Sequence, residues 1–174
     1  MSSFIFHQDG QPDWARLVPF CIAGACIAAL GAAYTAQYGF DLEPCILCLY
    51  QRIPYAVAGV LALAAILMPR GTGRVILAGA CAPIFLIGAG LAFYHVGVEQ
   101  HWWVSVAGCG GSIASFSSAS DLQAGLLAPP VKPCDAVDWT LFGLSMAVYN
   151  TAASLVLAVA TAYGVSRMRP SKGY

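Results

Sequence analysis

Charge is what this sequence has least of. Of its 174 residues only 9% are Asp, Glu, Lys or Arg, eight of each sign, so the formal net charge is zero. A soluble globular domain carries about 25% charged residues, and a nucleic-acid binder adds a basic excess. Neither class fits. Charged residues are missing altogether from four runs, 17–40, 53–69, 75–98 and 139–166, so none holds a carboxylate that could serve as a metal-transport ligand. Internal repeats and low-complexity tracts are also lacking. What fills the space is apolar: 59% hydrophobic residues and a mean hydropathy of +0.73.

Crossing a bilayer core of about 30 Å takes about 20 mostly apolar residues. Three runs meet that length, and the second does if it starts near Leu47 with Arg52 snorkelling at headgroup depth. The expectation is one domain, an all-α membrane protein built as a four-helix transmembrane bundle. Its spans fall near 17–38, 48–68, 75–95 and 140–165, with loops near 39–47 and 96–139. Gly24, Ala28, Gly31 and Ala32 offer small-residue faces for close packing of the first span. In the second loop, 111–127 is weakly amphipathic and compatible with a short surface helix. "APPVKPC" excludes regular helix, with three prolines in five positions.

Arg16, Arg70, Arg74, Arg167, Arg169 and Lys172 fall at one end of these spans, leaving only Arg52 and Lys132 at the other. Lysine and arginine favour the cytoplasmic side, which predicts cytoplasmic termini and two outward loops. The apolar segment from Leu17 exceeds the core of a secretory signal, so cleavage is not expected. Trp102 and Trp103 suit the membrane–water boundary.

The seven cysteines divide by depth. Cys21, Cys26 and Cys81 lie within spans, where a thiol is a small apolar filler. Cys45 and Cys48 fall in the first loop, Cys109 and Cys134 in the second, all facing a compartment where disulfides persist. Three readings compete: two structural disulfides, a four-cysteine zinc site, and a redox relay. The Cys-x-x-Cys spacing is typical of reducible bonds, and the 25 positions from Cys109 to Cys134 suit zinc poorly. Local chemistry favours the relay. Cys48 would sit near the positive end of a helix dipole, with Arg52 four residues on along the same face. Both favour a thiolate, and Arg52 is also placed to hold an oxygen that gains charge on reduction. His95, with Glu99 one turn later, could hydrogen-bond such an oxygen or supply a proton. Asp135 and Asp138 flank Cys134 and disfavour its thiolate.

The segments "PCILCLYQR" (44–52), "YHVGVEQHWW" (94–103) and "PCDAVDWTLFGLSMAVYN" (133–150) resemble those of the disulfide bond formation protein B (DsbB) family of bacterial inner membranes. Span number and the two cysteine pairs agree, so the resemblance covers nearly the whole chain. It implies a thiol:quinone oxidoreductase that reoxidises a DsbA-like thioredoxin-fold periplasmic partner and feeds the respiratory quinone pool through ubiquinone or menaquinone. It implies periplasmic loops, with the partner joined to Cys109, Cys134 exchanging onto Cys45, and Cys48 left facing the quinone. Arg52 lies at that quinone and His95 nearby, with no metal. Gln51 stands where some members carry an acidic residue.

Overall fold

In the computed structural model, described for residues 12–107, 109, 132–137 and 139–168, five helices and one small hairpin succeed one another. They are α1 (Trp14–Gly39), α2 (Ile46–Tyr50), α3 (Arg52–Leu67), α4 (Thr72–Glu99), β1 (Thr140–Leu141), β2 (Leu144–Ser145) and α5 (Met146–Arg167). Among the described residues four stretches are long and apolar enough to cross a membrane: Trp14–Gly39, Ile46–Leu67, Thr72–Glu99 and Met146–Arg167. The second joins α2 to α3 through Gln51. Pro54 explains the joint: it has no N–H for the carbonyl of Tyr50, so the ladder is interrupted one turn before it.

The four-helix expectation holds. The surface is inverted relative to a soluble protein, with Ile27 73%, Val60 68% and Val159 68% exposed. The interior is built from small residues, Ala58, Ala62, Ala78, Ala92 and Ser154 among them, all fully buried. In lipid, where burial of apolar surface drives little association, close packing of small residues is what holds helices together. Gly88 shows the tolerance: a Cβ there would lie 3.1 Å from Pro54. The small face expected on α1 is corrected, however. Gly24, Ala28, Gly31 and Ala32 point outward, while Val18, Ile22 and Cys26 face the core. The small partner is on the other helix, where a Cβ on Gly59 of α3 would lie 3.4 Å from that of Cys26.

One end of the bundle is tied by charge. Asp13 pairs with Arg70 at 2.6 Å, and Trp14 meets Tyr163 edge-on. Arg74, read from sequence as a topology signal, is buried. It donates to the carbonyls of Ile66 and Met68 at the end of α3 and to that of Ala15. The last is the carbonyl that Pro19, four residues on within α1, cannot serve.

The opposite end differs from expectation in two places. The fourth span starts at Met146 rather than near 140, because 140–145 turn back as an antiparallel hairpin pairing Thr140 with Ser145 and Leu141 with Leu144. Both turn residues, Phe142 and Gly143, have positive φ, the geometry of a tight hairpin turn. Trp103 is not a simple interfacial anchor. It folds back on α4, donates from Nε1 to the carbonyl of Tyr94 at 3.0 Å and stacks on that ring. A Cβ on Gly97 would overlap it. The helix weighed for 111–127 lies outside the described residues, as does Asp138.

Candidate functional site

The first cysteine pair is organised by a helix start. Pro44 leads into Cys45, whose extended backbone makes it the N-cap of α2. Its sulfur accepts from the backbone N–H of Cys48 at 3.3 Å and lies 2.9 Å from the Cys48 sulfur. N-cap and third helical residue are the positions that hydrogen-bond across a first turn. His95 of α4 approaches from the side, its Nε2 3.6 Å from Cys45 Sγ. The Cys45 thiol is drawn down to about 4, chiefly by the Cys48 hydrogen bond, against burial and with help from His95. The thiolate in this dithiol state is therefore Cys45, not Cys48 as the dipole argument expected. The N-cap position puts the Cys45 sulfur, rather than that of Cys48, in line with the free N–H groups.

The second pair is a disulfide, Cys109–Cys134, so the four-cysteine zinc alternative is not what these sulfurs form. Cys45, Leu47, Val98, Cys109 and Cys134 make one buried cluster. Both pairs thus lie at the same end of the bundle and in one patch. His95 bridges them, its Nε2 also lying 3.2 Å from the carbonyl oxygen of Cys134. Lys132 donates to the carbonyl of Glu43, a further tie between the two loops. Asp135, expected to bear on the sulfur of Cys134, lies 3.9 Å from His101.

Arg52 is turned by the joint at Gln51. Its Nη1 donates to Gln37 Oε1 of α1 at 2.6 Å, and its guanidinium lies 4.9 Å from the centre of the Tyr34 ring. It lines a cavity of about 430 Å³ together with Cys45, Cys48, His95 and Glu99. Ala29, Ala33 and Ala36 of α1 supply apolar wall. Glu99 is almost wholly enclosed, 3.8 Å from His95 Nε2, and accepts from Ser145 Oγ at 2.5 Å. Cys45, Cys48 and His95 offer three ligand atoms within 4.8 Å of one another, the one metal-competent group among the described residues.

Sequence reasoning passed over the groups behind His95. Gln51 Nε2 lies 2.8 Å from His95 Nδ1, and Asn150 Nδ2 donates to Gln51 Oε1. Tyr55 donates to Asn150 Oδ1 at 2.7 Å and lies 3.0 Å from Ser154 Oγ. A signal was present: Gln51 and Tyr55, then Asn150 and Ser154, are polar pairs four apart, on one helix face each.

Comparison with known proteins bears on the whole chain. A family model described as disulfide bond formation protein DsbB matches residues 15–164. The chain is 33% identical to disulfide bond formation protein B of Hahella chejuensis, over 78% of this chain and 86% of that one. It is 31% identical to the protein of the same name from Azoarcus sp., over 80% and 87%. With that from Methylobacillus flagellatus it shares 31% identity over 70% and 75%. No solved structure matches the chain. Two cysteine pairs in one patch, four candidate spans and these matches lead to one conclusion: the chain belongs to the DsbB family, membrane thiol oxidoreductases that reoxidise DsbA through cysteine pairs and quinone in disulfide bond formation.

Proposed function

We propose that this protein carries electrons from a DsbA-like, thioredoxin-fold periplasmic dithiol, through Cys109–Cys134 and then Cys45–Cys48, to ubiquinone or menaquinone of the respiratory pool. The observation that carries the reading is the shared cluster of the two pairs, with His95 touching both. Partner thiolate attacks Cys109, and the bond to Cys134 breaks. The freed Cys134 sulfur then attacks an oxidised first pair at Cys45, expelling Cys48. A second thiolate of the partner resolves the bond to Cys109, and the released Cys109 sulfur attacks Cys134, remaking their disulfide and freeing Cys45 as a thiolate. Exchange only moves disulfides; each cycle removes two electrons and two protons from the partner and leaves them on Cys45 and Cys48. The arrangement described here, second pair joined and first pair as thiols, corresponds to that loaded state.

The cavity suits a quinone. Its walls are mainly apolar, as small-ligand sites are, and its polar groups gather at Cys48, Arg52, His95 and Glu99. Bound there, a quinone would supply a two-electron, two-proton acceptor. Arg52 has five N–H donors, and its bond to Gln37 leaves others for an oxygen in the cavity. His95 and Glu99 set a ring nitrogen and a carboxyl beside the sulfurs, where a proton can be passed, and the surrounding walls are mainly apolar. The orientation follows from the arginine and lysine bias: inner membrane, both termini cytoplasmic, both loops periplasmic.

Trapping tests the reading. A Cys134→Ser variant should accumulate a mixed disulfide between Cys109 and a thioredoxin-fold periplasmic protein, identified by mass spectrometry of non-reduced complexes. Capture through another cysteine, or none at all, would sink the order of exchange.

A further inference from the structure

The buried hydrogen bonds behind His95 have a direction. The carbonyl of Cys134 only accepts, so His95 Nε2, 3.2 Å away, must carry a proton. On the other side of the ring, Gln51 presents its amide nitrogen to Nδ1 at 2.8 Å, which requires Nδ1 to be bare. Gln51 is held in that sense because its Oε1 receives Asn150 Nδ2. Asn150 is held in turn because its Oδ1 receives the Tyr55 hydroxyl at 2.7 Å and that of Ser154 at 3.4 Å. Every donor in the chain faces an acceptor, from α5 through α3 to α4.

We propose that Asn150, acting through the amide of Gln51, is a positioning residue that keeps His95 neutral with its single proton on Nε2, the nitrogen facing Cys45. A second proton on Nδ1 would meet the Gln51 amide head-on. Turning that amide would set its nitrogen against the nitrogen of Asn150, which would then lose its acceptor. Reversing the line takes a concerted turn of both buried amides and of the Tyr55 hydroxyl, which is costly inside a packed network. His95 is thereby fixed as a donor toward the Cys45 sulfur and the Cys134 carbonyl. The titratable and charged groups around it are Cys45 and Cys48 before and within α2, Arg52 and Tyr55 of α3, and Glu99 of α4. From α5 the residue in the chain is the neutral Asn150. The geometry stands without the relay reading, and only the effect on turnover rests on it.

The test is the protonation pattern of the ring. The chain has three histidines, so ring-nitrogen NMR on labelled protein in nanodiscs, with His7 and His101 replaced by Gln, reports His95 alone. At about neutral pH, unsubstituted His95 should show a protonated Nε2 and a bare Nδ1. Asn150→Asp offers Gln51 only acceptors, so the amide turns and Nδ1 becomes protonated. Gln51→Glu should do the same by accepting from Nδ1 directly, which keeps the test open if Asn150→Asp folds poorly. Turnover of Asn150→Asp should fall about tenfold to a hundredfold, the range seen when outer partners that orient a histidine are lost, with partner KM unchanged; Gln51→Glu, an acidic residue that some family members carry there, is read by the ring pattern alone. A protonated Nδ1 in the parent, or a ring pattern unmoved by either substitution, overturns the proposal. Failure of the relay reading would appear separately, as ring changes without any change in dithiol oxidation.

Discussion

Alkylation of Cys45 in the reduced protein should be nearly independent of pH above about 5 and fall tenfold per unit only below about 4, where the thiolate is lost. The sign is set by the lowered value: the charged form is favoured, so it persists above that point and disappears under it. Against an ordinary thiol near 8.5, the lowered value makes the thiolate fraction at about pH 6 much larger. The rate gain is much smaller. Nucleophilicity falls with basicity with a coefficient of about 0.4–0.5, which offsets much of what the larger thiolate fraction adds. The shape of the profile, not the absolute rate, is therefore the readout. Burial of Cys45 slows every point alike. Peptide-resolved mass spectrometry with a small neutral alkylating agent separates Cys45 from the other cysteines. Cys48→Ala removes the largest cause and should move the inflection up toward the usual thiol range, and His95→Ala should move it by less. A parent inflection near 8 to 9, or one that Cys48→Ala leaves in place, would refute the argument that the helix start holds the charge on Cys45.

Cys48→Ser should abolish quinone reduction by a reduced partner in membranes, whereas Cys21→Ala, on the outer surface of α1, should leave it unchanged; absorbance assays of quinone reduction decide. Arg52→Ala should raise the apparent KM for quinone about tenfold or more, as expected for loss of a charge-assisted hydrogen bond, while partner KM stays put. The reverse split would remove Arg52 from the cavity's chemistry. Arg74→Met leaves the carbonyls of Ala15, Ile66 and Met68 short of a donor and should destabilise the bundle by about 1.5–3 kcal/mol, read as a lower melting midpoint in detergent with the cysteine chemistry intact.

Span number and the end at which each cysteine falls were legible because they depend on charge spacing, which lipid enforces strictly. The face of α1 was not. Small residues on a helix show that it can be approached closely, not that it is, and here Gly59 and Ala62 of α3 supplied the close surface instead. The hairpin at 140–145 was hidden for a similar reason: Phe142 with positive φ breaks the Asn-Gly or Asp-Gly pattern that announces such turns. Arg74 could be counted but not located. It bonds the carbonyl of Ala15, left free by Pro19 in a different helix, a partnership across 59 positions that no local pattern reveals. The Gln51 to Asn150 bond spans 99 positions, so sequence exposed the two polar pairs but not the line they form.

The spacing of the first pair has a geometric cause that joins these points. A residue at the N-cap reaches the backbone N–H of the third helical position, which fixes two intervening residues between a capping sulfur and its partner. Cys45 and Cys48 occupy those two positions. The same turn cannot run on undisturbed, because Pro54 interrupts the ladder at Tyr50 and sets a joint at Gln51. That joint is where the Gln51 side chain meets His95 and where Arg52 departs toward Gln37 of α1. One proline thus accounts for three placements: a short capped helix for the sulfurs, an amide behind the histidine, and a guanidinium along the cavity wall. Replacing Pro54 with alanine would restore the missing N–H and let α2 run into α3. The expected result is a disturbed joint, with Arg52 and Gln51 both shifted, even though neither cysteine has been touched.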